Sequence, residues 1–317
     1  MGLARGADLA SMCLMPLPPL ADPESRVERL AALARGVGNT TFLFSSLMVT
    51  NMGQALSTVV RPFSRRACRD ANRWLWDRWG GLCVLCSTKV NGSRLIITGD
   101  EIPRDENVIL MANHQEMADV PFLWDYAGTK GRVGDMKWIV KDALKYAPGL
   151  GVGMAFLEMV FVKRNWTEDR EYVRRLFATF HEDRIPLWLM TFPEGTRFTP
   201  EKQDRNRKRA AQTGIEPFRH MLVPRTKGFV AAVIGLRGYI DAVYDVTIGY
   251  EGGVPTLWQF VKGLPKVAHM HVRRFAMAGL PEADEDVAAW LIARYREKDD
   301  LLDGFYRDGR FPGPPRD

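Results

Sequence analysis

The chain is poor in cysteine and histidine: four cysteines (Cys13, Cys68, Cys83, Cys86) and five histidines in 317 residues. So few cysteines give no disulfide framework. Cys83-x-x-Cys86 lies in apolar sequence with no second pair and no neighbouring His, so it reads as buried free thiols rather than a metal or redox centre. No secretory signal is legible, because the early segment lacks an apolar core and a cleavage pattern. Zinc-finger, RRM-like and helix-turn-helix signatures are missing, which argues against nucleic acid as a partner. No G-x-S-x-G elbow marks a serine nucleophile, which argues against a lipid hydrolase. Gly149-Leu150-Gly151-Val152-Gly153 lacks the third Gly and the Lys-Ser/Thr of the phosphate-loop fingerprints and reads as a flexible turn. No repeat is present.

What the chain does have is an excess of positive charge. Forty-four Lys and Arg against 38 Asp and Glu leave a net charge of +6 and a pI near 9.2. That balance suits an anionic partner such as a phospholipid surface. Residues 1–35, with Pro16, Pro18 and Pro19, read as a tail. Between Arg35 and Arg61 no charge occurs, about 25 residues or roughly 38 Å of helix, long enough to span a bilayer. Yet Asn39, Ser45, Ser46, Thr50, Asn51, Gln54 and Ser57 suit lipid poorly on all sides. A helix half sunk in the interface fits better than a crossing. Arg61, Arg65, Arg66, Arg69 and Arg73, followed by Trp74, Trp76 and Trp79, add interface-favouring residues and place this end on the cytoplasmic side. Residues 36–89 are therefore expected to form a helical membrane-associating hairpin. Membrane contact is expected mainly from the N-terminal third.

From residue 90 to 317, short apolar runs alternate with helical patterns. Expected strands are Leu95–Thr98, Val108–Met111, Trp138–Val140, Met159–Val162, Leu187–Thr191, Met221–Val223, Ala242–Ile248 and Val267–Val272. Helical spacing marks 168–182 and a longer C-terminal stretch from Val287 to Phe305. This is an α/β chain with a mixed, mostly parallel sheet flanked by helices. The run Arg205–Arg209 reads as a solvated loop or helix face, and Lys137 and Lys163 as solvated charges.

Four strand ends carry polar residues. Val108–Met111 leads into Asn113-His114-Gln115-Glu116-Met117-Ala118-Asp119. A strand turning into a helix there would let Asp119 hold His114 in one tautomer, so that the imidazole can take a proton from a hydroxyl. Alone, the spacing is equally that of a helix-capping Asp beside a structural His. The other ends are Phe161-Val162-Lys163-Arg164, then Phe192-Pro193-Glu194-Gly195-Thr196-Arg197, then Leu222-Val223-Pro224-Arg225-Thr226-Lys227-Gly228. In open α/β sheets the ligand crevice lies at the carboxyl ends of the strands, so these four describe one site built from separated loops.

The order NHQEMAD, FVKR, FPEGTR, VPRTKG resembles the glycerolipid acyltransferase family, and the wording of EMVFVKRNWTEDR, FPEGTRFTPEK and DAVYDVTIGY is similar to its eukaryotic-type lysophosphatidate and lysocardiolipin branch. The resemblance covers about residues 90–250; Glu158 departs from it, where many members have Gly. It implies acyl transfer from acyl-CoA, a co-substrate rather than a cofactor, to the sn-2 hydroxyl of 1-acyl-sn-glycerol-3-phosphate. His114 is then the general base and Asp119 its orienting partner. Backbone N–H groups near Gly195 are candidates for the oxyanion. Glu194, Gly195 and Arg197 match the family's substrate block, with Arg197 on the acceptor phosphate and Arg164 and Lys141 in support. Pro224 matches the block bordering the acyl-chain pocket. No metal is implied. Alternatives are a lysocardiolipin or other lysophospholipid acyltransferase or transacylase, and, in a different class, a non-catalytic membrane-bound module.

Overall fold

The computed structural model describes residues 19–163 and 165–316. Two helices open it, α1 (Arg26–Ser57) and α2 (Arg65–Leu85), each started by a serine whose hydroxyl accepts an orphan N–H three residues on. The two pack as a hairpin. Helix α1 begins well before residue 36, running through the boundary expected there.

Helix α1 is polar where it meets protein and apolar where it meets solvent. Asn39, Thr50, Gln54 and Ser57 are buried, while Phe42, Phe44, Val49, Met52 and Leu56 are exposed. The Asn39 amide donates to Asn91 Oδ1 and the Val261 carbonyl, both at 2.9 Å, whereas neither amide atom of Gln54 has a partner among the described residues. The Asn51 amide reaches the Gly149 carbonyl at 2.7 Å.

Seven strands follow: β1 (Arg94–Gly99), β2 (Val108–Ala112), β3 (Met136–Lys141), β4 (Val160–Val162), β5 (Trp188–Thr191), β6 (Ala242–Tyr250) and β7 (Val267–Ala276). They form one sheet in the order β1-β7-β6-β2-β5-β3-β4, parallel at every junction except β6–β7. The expected mixed, mostly parallel sheet flanked by helices is what forms. Its central strand is buried on both faces. Val108, Leu110 and Ala112 join the core under the hairpin and α3 (Asp119–Lys130); Ile109 and Met111 join the opposite core. That second core is closed by α5 (Trp166–Glu182), α7 (Thr226–Gly235) and α9 (Asp284–Asp308). The short helices α4 (Leu150–Phe156) and α8 (Leu257–Val261) brace α1, and α6 (Pro200–Thr213) follows the loop after β5.

Three expectations need correction. Met221–Val223 is not a strand: it is a buried extended link whose N–H groups go to side chains, Leu222 to Glu194 Oε2 and Val223 to Asn206 Oδ1. Its apolar run answers to burial, not to a neighbouring strand. Residues 149–153 are not a flexible turn. Gly149 sits at φ +71 and starts α4, whose Gly151 and Gly153 let it close on the Lys145 carbonyl and on Trp76. Lys137 is not solvated; it is 6% exposed and donates to the Leu157 carbonyl. Arg205, Arg207 and Lys208 do lie on a helix face, that of α6, and Cys68 and Cys86 are buried free thiols.

The antiparallel junction is reinforced by buried charge. Asp245 of β6 is fully buried between Lys298 of α9 and Arg273 of β7, with Arg273 Nη2 to Asp245 Oδ2 at 2.5 Å. Lys298 also donates to the Val246 carbonyl at 2.5 Å, and its burial depresses its pKa. Removing one partner strands the other in a low dielectric. Lys298→Met is therefore expected to cost about 3–5 kcal/mol in urea unfolding, and adding Asp245→Leu to recover part of that loss rather than double it. Additive losses would show that the pair is not coupled.

Candidate functional site

The site grows from the carboxyl end of β2. Asn113, the first residue past the strand, pairs reciprocally with Ile248 of β6: its amide donates to the Ile248 carbonyl at 3.1 Å and its oxygen accepts the Ile248 N–H at 2.7 Å. The Gln115 amide reaches the same carbonyl at 2.7 Å. The loop holding His114 is thus fixed to the neighbouring strand before α3 starts.

Asp119 opens α3, where the helix N-terminus favours negative charge. Its Oδ2 accepts three bonds, from the N–H groups of Gln115 (2.7 Å) and Glu116 (3.1 Å) and from His114 Nδ1 (2.8 Å). Its Oδ1 accepts the Tyr250 hydroxyl at 2.5 Å. Burial pushes the Tyr250 pKa well above its ordinary value, so that hydroxyl stays a donor. Because Nδ1 is spent on the carboxylate, Nε2 is the ring nitrogen left to accept a proton. The ring plane is fixed from the side by Phe192, stacked at 4.0 Å and 11°, with Trp138 behind Phe192 at 5.7 Å. An imidazole with set tautomer and set plane is what general-base work on a hydroxyl requires.

The loop after β5 is tied to this one. Phe198 N–H donates to the His114 carbonyl at 2.8 Å, and Arg225 N–H to the Pro193 carbonyl at 2.7 Å. Glu194 points into the protein. It is 2% exposed, with Oε1 accepting the His114 N–H (2.7 Å) and Oε2 the Leu222 N–H (3.2 Å). It braces two loops from beneath instead of facing the crevice. Burial, with a smaller contribution from the nearby Asp119 charge, pushes its pKa up to about 8. Gly195 adopts φ +71, and its N–H closes a turn onto the Phe192 carbonyl at 2.8 Å, so that N–H is not free for an oxyanion. A Cβ there would stand 3.1 Å from the Arg225 side chain, so the turn needs glycine.

Arg197 points outward beside the His114 loop, half-exposed and ion-paired with Glu116. Lys141 ends β3, exposed, with no bond to Arg197 or His114 among the described residues. Pro224 is buried in the link before α7. Arg164 lies outside the described residues. Sequence reasoning missed Tyr250, Asn113 and Phe192, although each lay inside or beside a motif already singled out. A cavity of about 210 Å³ adjoins the crevice, walled by Gln115, Glu116, Phe198, His220 and Tyr306. Among the described residues no group of His, Cys, Asp or Glu could hold a metal ion.

The Acyltransferase family model matches residues 94–251, and the Acyltransferase C-terminus model residues 259–317. The chain is 36% identical over 293 residues to the probable 1-acyl-sn-glycerol-3-phosphate acyltransferase 5 of Arabidopsis thaliana, covering 92% of this chain and 78% of that protein. It is 35% identical over 253 residues to lysocardiolipin acyltransferase 1 of Danio rerio, covering 76% and 65%. The crystal structure of the 1-acyl-sn-glycerophosphate (LPA) acyltransferase PlsC from Thermotoga maritima aligns with a TM-score of 0.45 at 17% identity, covering 80% of this chain and 95% of that one.

A prediction follows from Glu194. A carboxyl raised in the fold from 4.5 to about 8 contributes stability that is complete below pH 4.5 and lost as pH rises through 8. Unfolding free energy is expected to fall over that window by on the order of 4 kcal/mol. Glu194→Gln should be less stable at low pH but nearly flat between pH 5 and 8. An equal slope in the variant would assign the titration to another group.

Proposed function

The chain belongs to the glycerolipid acyltransferase family and is an O-acyltransferase, and from that premise we propose that it transfers an acyl chain from acyl-CoA to the sn-2 hydroxyl of 1-acyl-sn-glycerol-3-phosphate, giving phosphatidic acid. The observation that carries the reading is the 2.8 Å bond between His114 Nδ1 and a buried Asp119 that three further donors hold in place. Nε2 takes the hydroxyl proton as the acceptor oxygen attacks the thioester carbonyl. The tetrahedral oxyanion then collapses, the C–S bond breaks, and the leaving thiolate recovers the proton from the imidazolium. Asp119 stabilises that imidazolium while the proton is in transit.

Arg197 supplies the acceptor phosphate contact in this reading. Its planar fork matches a phosphate, and its present partner Glu116 is itself on the His114 loop, so phosphate binding would exchange one anion for another beside the base. Pro224 and the apolar link around it border the acyl chain. The similarity to lysocardiolipin acyltransferase 1, nearly as high as to the lysophosphatidate enzymes, supports a second reading with a bulkier lysophospholipid acceptor.

The enzyme works on a membrane surface in this proposal. The exposed apolar face of α1, with Leu144, Tyr146 and Val152 beside it, offers an area that water solvates poorly and lipid well. No described helix is long and apolar enough to cross a membrane. We place α1 in the interface, with the arginines of α2 toward anionic headgroups on the cytoplasmic side.

Two outcomes test the chemistry. His114→Ala and Asp119→Ala should each lower kcat by about 10²–10⁴-fold in a labelled acyl-CoA assay while the protein stays folded. Near-normal turnover in either would remove the mechanism. Arg197→Lys keeps the charge but loses the bidentate fork, so KM for lysophosphatidate should rise roughly 10- to 150-fold with little change for acyl-CoA. Should wild type prefer lysocardiolipin across a panel of lysophospholipids, and Arg197→Lys be indifferent, the second reading stands.

A further inference from the structure

At the end of the sheet away from His114, where β3, β4 and β5 begin, a cleft of about 650 Å³ opens beside the start of α2. It is strongly basic. Arg65, Arg66, Arg69, Arg73, Lys137 and Arg184 line it, against three acids. Two of the cations are already neutralised: Arg69 by Glu158 at 3.0 Å and by Asp183, and Arg73 by Asp135. Among the described residues, Arg65, Arg184 and Lys137 pair with no carboxylate. Lys137 is the telling one, since a lysine this deeply buried normally has a counter-ion. Here its ammonium bonds a backbone carbonyl and lies 5.3 Å from the Phe180 ring centre, with Glu158 and Asp135 acting on it from a distance and no carboxylate in contact; desolvation lowers its pKa to about 8. A bound anion would remove that cost.

The backbone singles out the same cleft. Glu158 (φ 54) and Arg184 (φ 49) are the two non-glycine residues with positive φ among the described residues, and both line it. They follow α4 and α5, at positions that glycine fills without strain. Glu158 and Arg184 carry side chains at strained positions, and strain of this kind gathers at binding sites. The neighbouring turn says what kind of ligand. Between α1 and α2, Val59, Val60 and Phe63 project into solvent, Phe63 with 88% of its surface exposed, and Arg61 sits among them. An apolar tip beside a basic cleft complements a lipid, acyl chains at the tip and phosphate in the cleft.

We propose that this cleft is a second lipid site, binding the phosphate of an anionic phospholipid while the 58–64 turn enters the acyl layer beside it. The site is separate from the catalytic crevice. It rests on the reading that α1 lies on the membrane, and the experiment keeps the two apart.

Purified full-length protein is titrated with phosphatidylcholine vesicles, with and without phosphatidylglycerol, and co-sedimentation is measured. Wild type should bind neutral vesicles and gain about ten-fold in affinity with the anionic lipid. Arg184→Gly combined with Arg65→Gln should keep the neutral binding, lose most of the ten-fold gain, and melt no lower, because glycine relieves the strained backbone. Arg205→Gln with Lys208→Gln removes the same charge from α6 and should leave the gain intact. No binding to neutral vesicles would sink the membrane reading itself. Neutral binding with no anionic gain, or a gain that survives in the cleft variant, would overturn the cleft. Equal loss in the α6 control would also overturn it, leaving only diffuse attraction. Inorganic phosphate that binds the cleft by calorimetry, in a protein showing no anionic-vesicle gain, would assign it to a free anion and overturn the lipid.

Discussion

One carboxylate organises the catalytic end of this molecule. Asp119, at the start of α3, receives an imidazole, two backbone N–H groups and a phenol, and these donors come from two places: the loop after β2 and the last residue of β6. Each bond is modest alone, but together they leave the loop no second arrangement in which the buried charge is satisfied. The His114 geometry therefore depends on the register of β2 against β6. Ala112 faces Val246, which brings Ile248 beside Asn113 and Tyr250 beside Asp119. A slip by one residue would turn Tyr250 to the other face of the sheet and take its hydroxyl from the carboxylate. The Asp245–Lys298–Arg273 group, three residues below Ile248 on the same strand, ties β6 to β7 and α9.

Glu194 completes the arrangement by a different route. It too is buried under the His114 loop, yet its partners are backbone N–H groups with no cation in contact. Two buried carboxyls near one imidazole cannot both carry full charge cheaply. Their surroundings differ: Asp119 has four donors and a helix N-terminus, Glu194 two donors and full burial, and that burial raises the Glu194 pKa. A motif residue that reads as a ligand is on this geometry a strut.

The inward direction of Glu194 marks the limit of sequence reasoning here. The spacing of His114 and Asp119 was legible because a strand-to-helix turn has few shapes, and most strands were legible because a buried parallel sheet writes itself as short continuous apolar runs. Met221–Val223 shows the same apolar signature without being a strand, since burial alone produces it. The direction of side chains within FPEGTR was not legible. Charge in a glycine turn suggests a ligand, but the turn closed by Gly195 sends Glu194 inward and Arg197 outward, and only the fold shows which. Tyr250 was hidden for a related reason: a tyrosine at the end of an apolar strand looks like core until its hydroxyl is seen to reach Asp119.

Helix α1 inverts the usual logic, and the inversion carries the membrane argument. Its polar residues counted against lipid when taken as a ring around the helix. In the fold several of them lie on the side that meets protein and are bonded there: Asn39 to Asn91 and Val261, the part-buried Asn51 to Gly149, Ser57 to Asn72. A soluble helix would face protein with its apolar side, so a buried polar stripe opposite an exposed apolar one is the informative pattern. Polar packing also gives directional bonds that fix the rotation of the helix, which apolar packing would leave looser. The exposed face is thereby held at one angle to the sheet. In the proposed membrane reading, that fixed angle presents His114 to the bilayer in a single orientation.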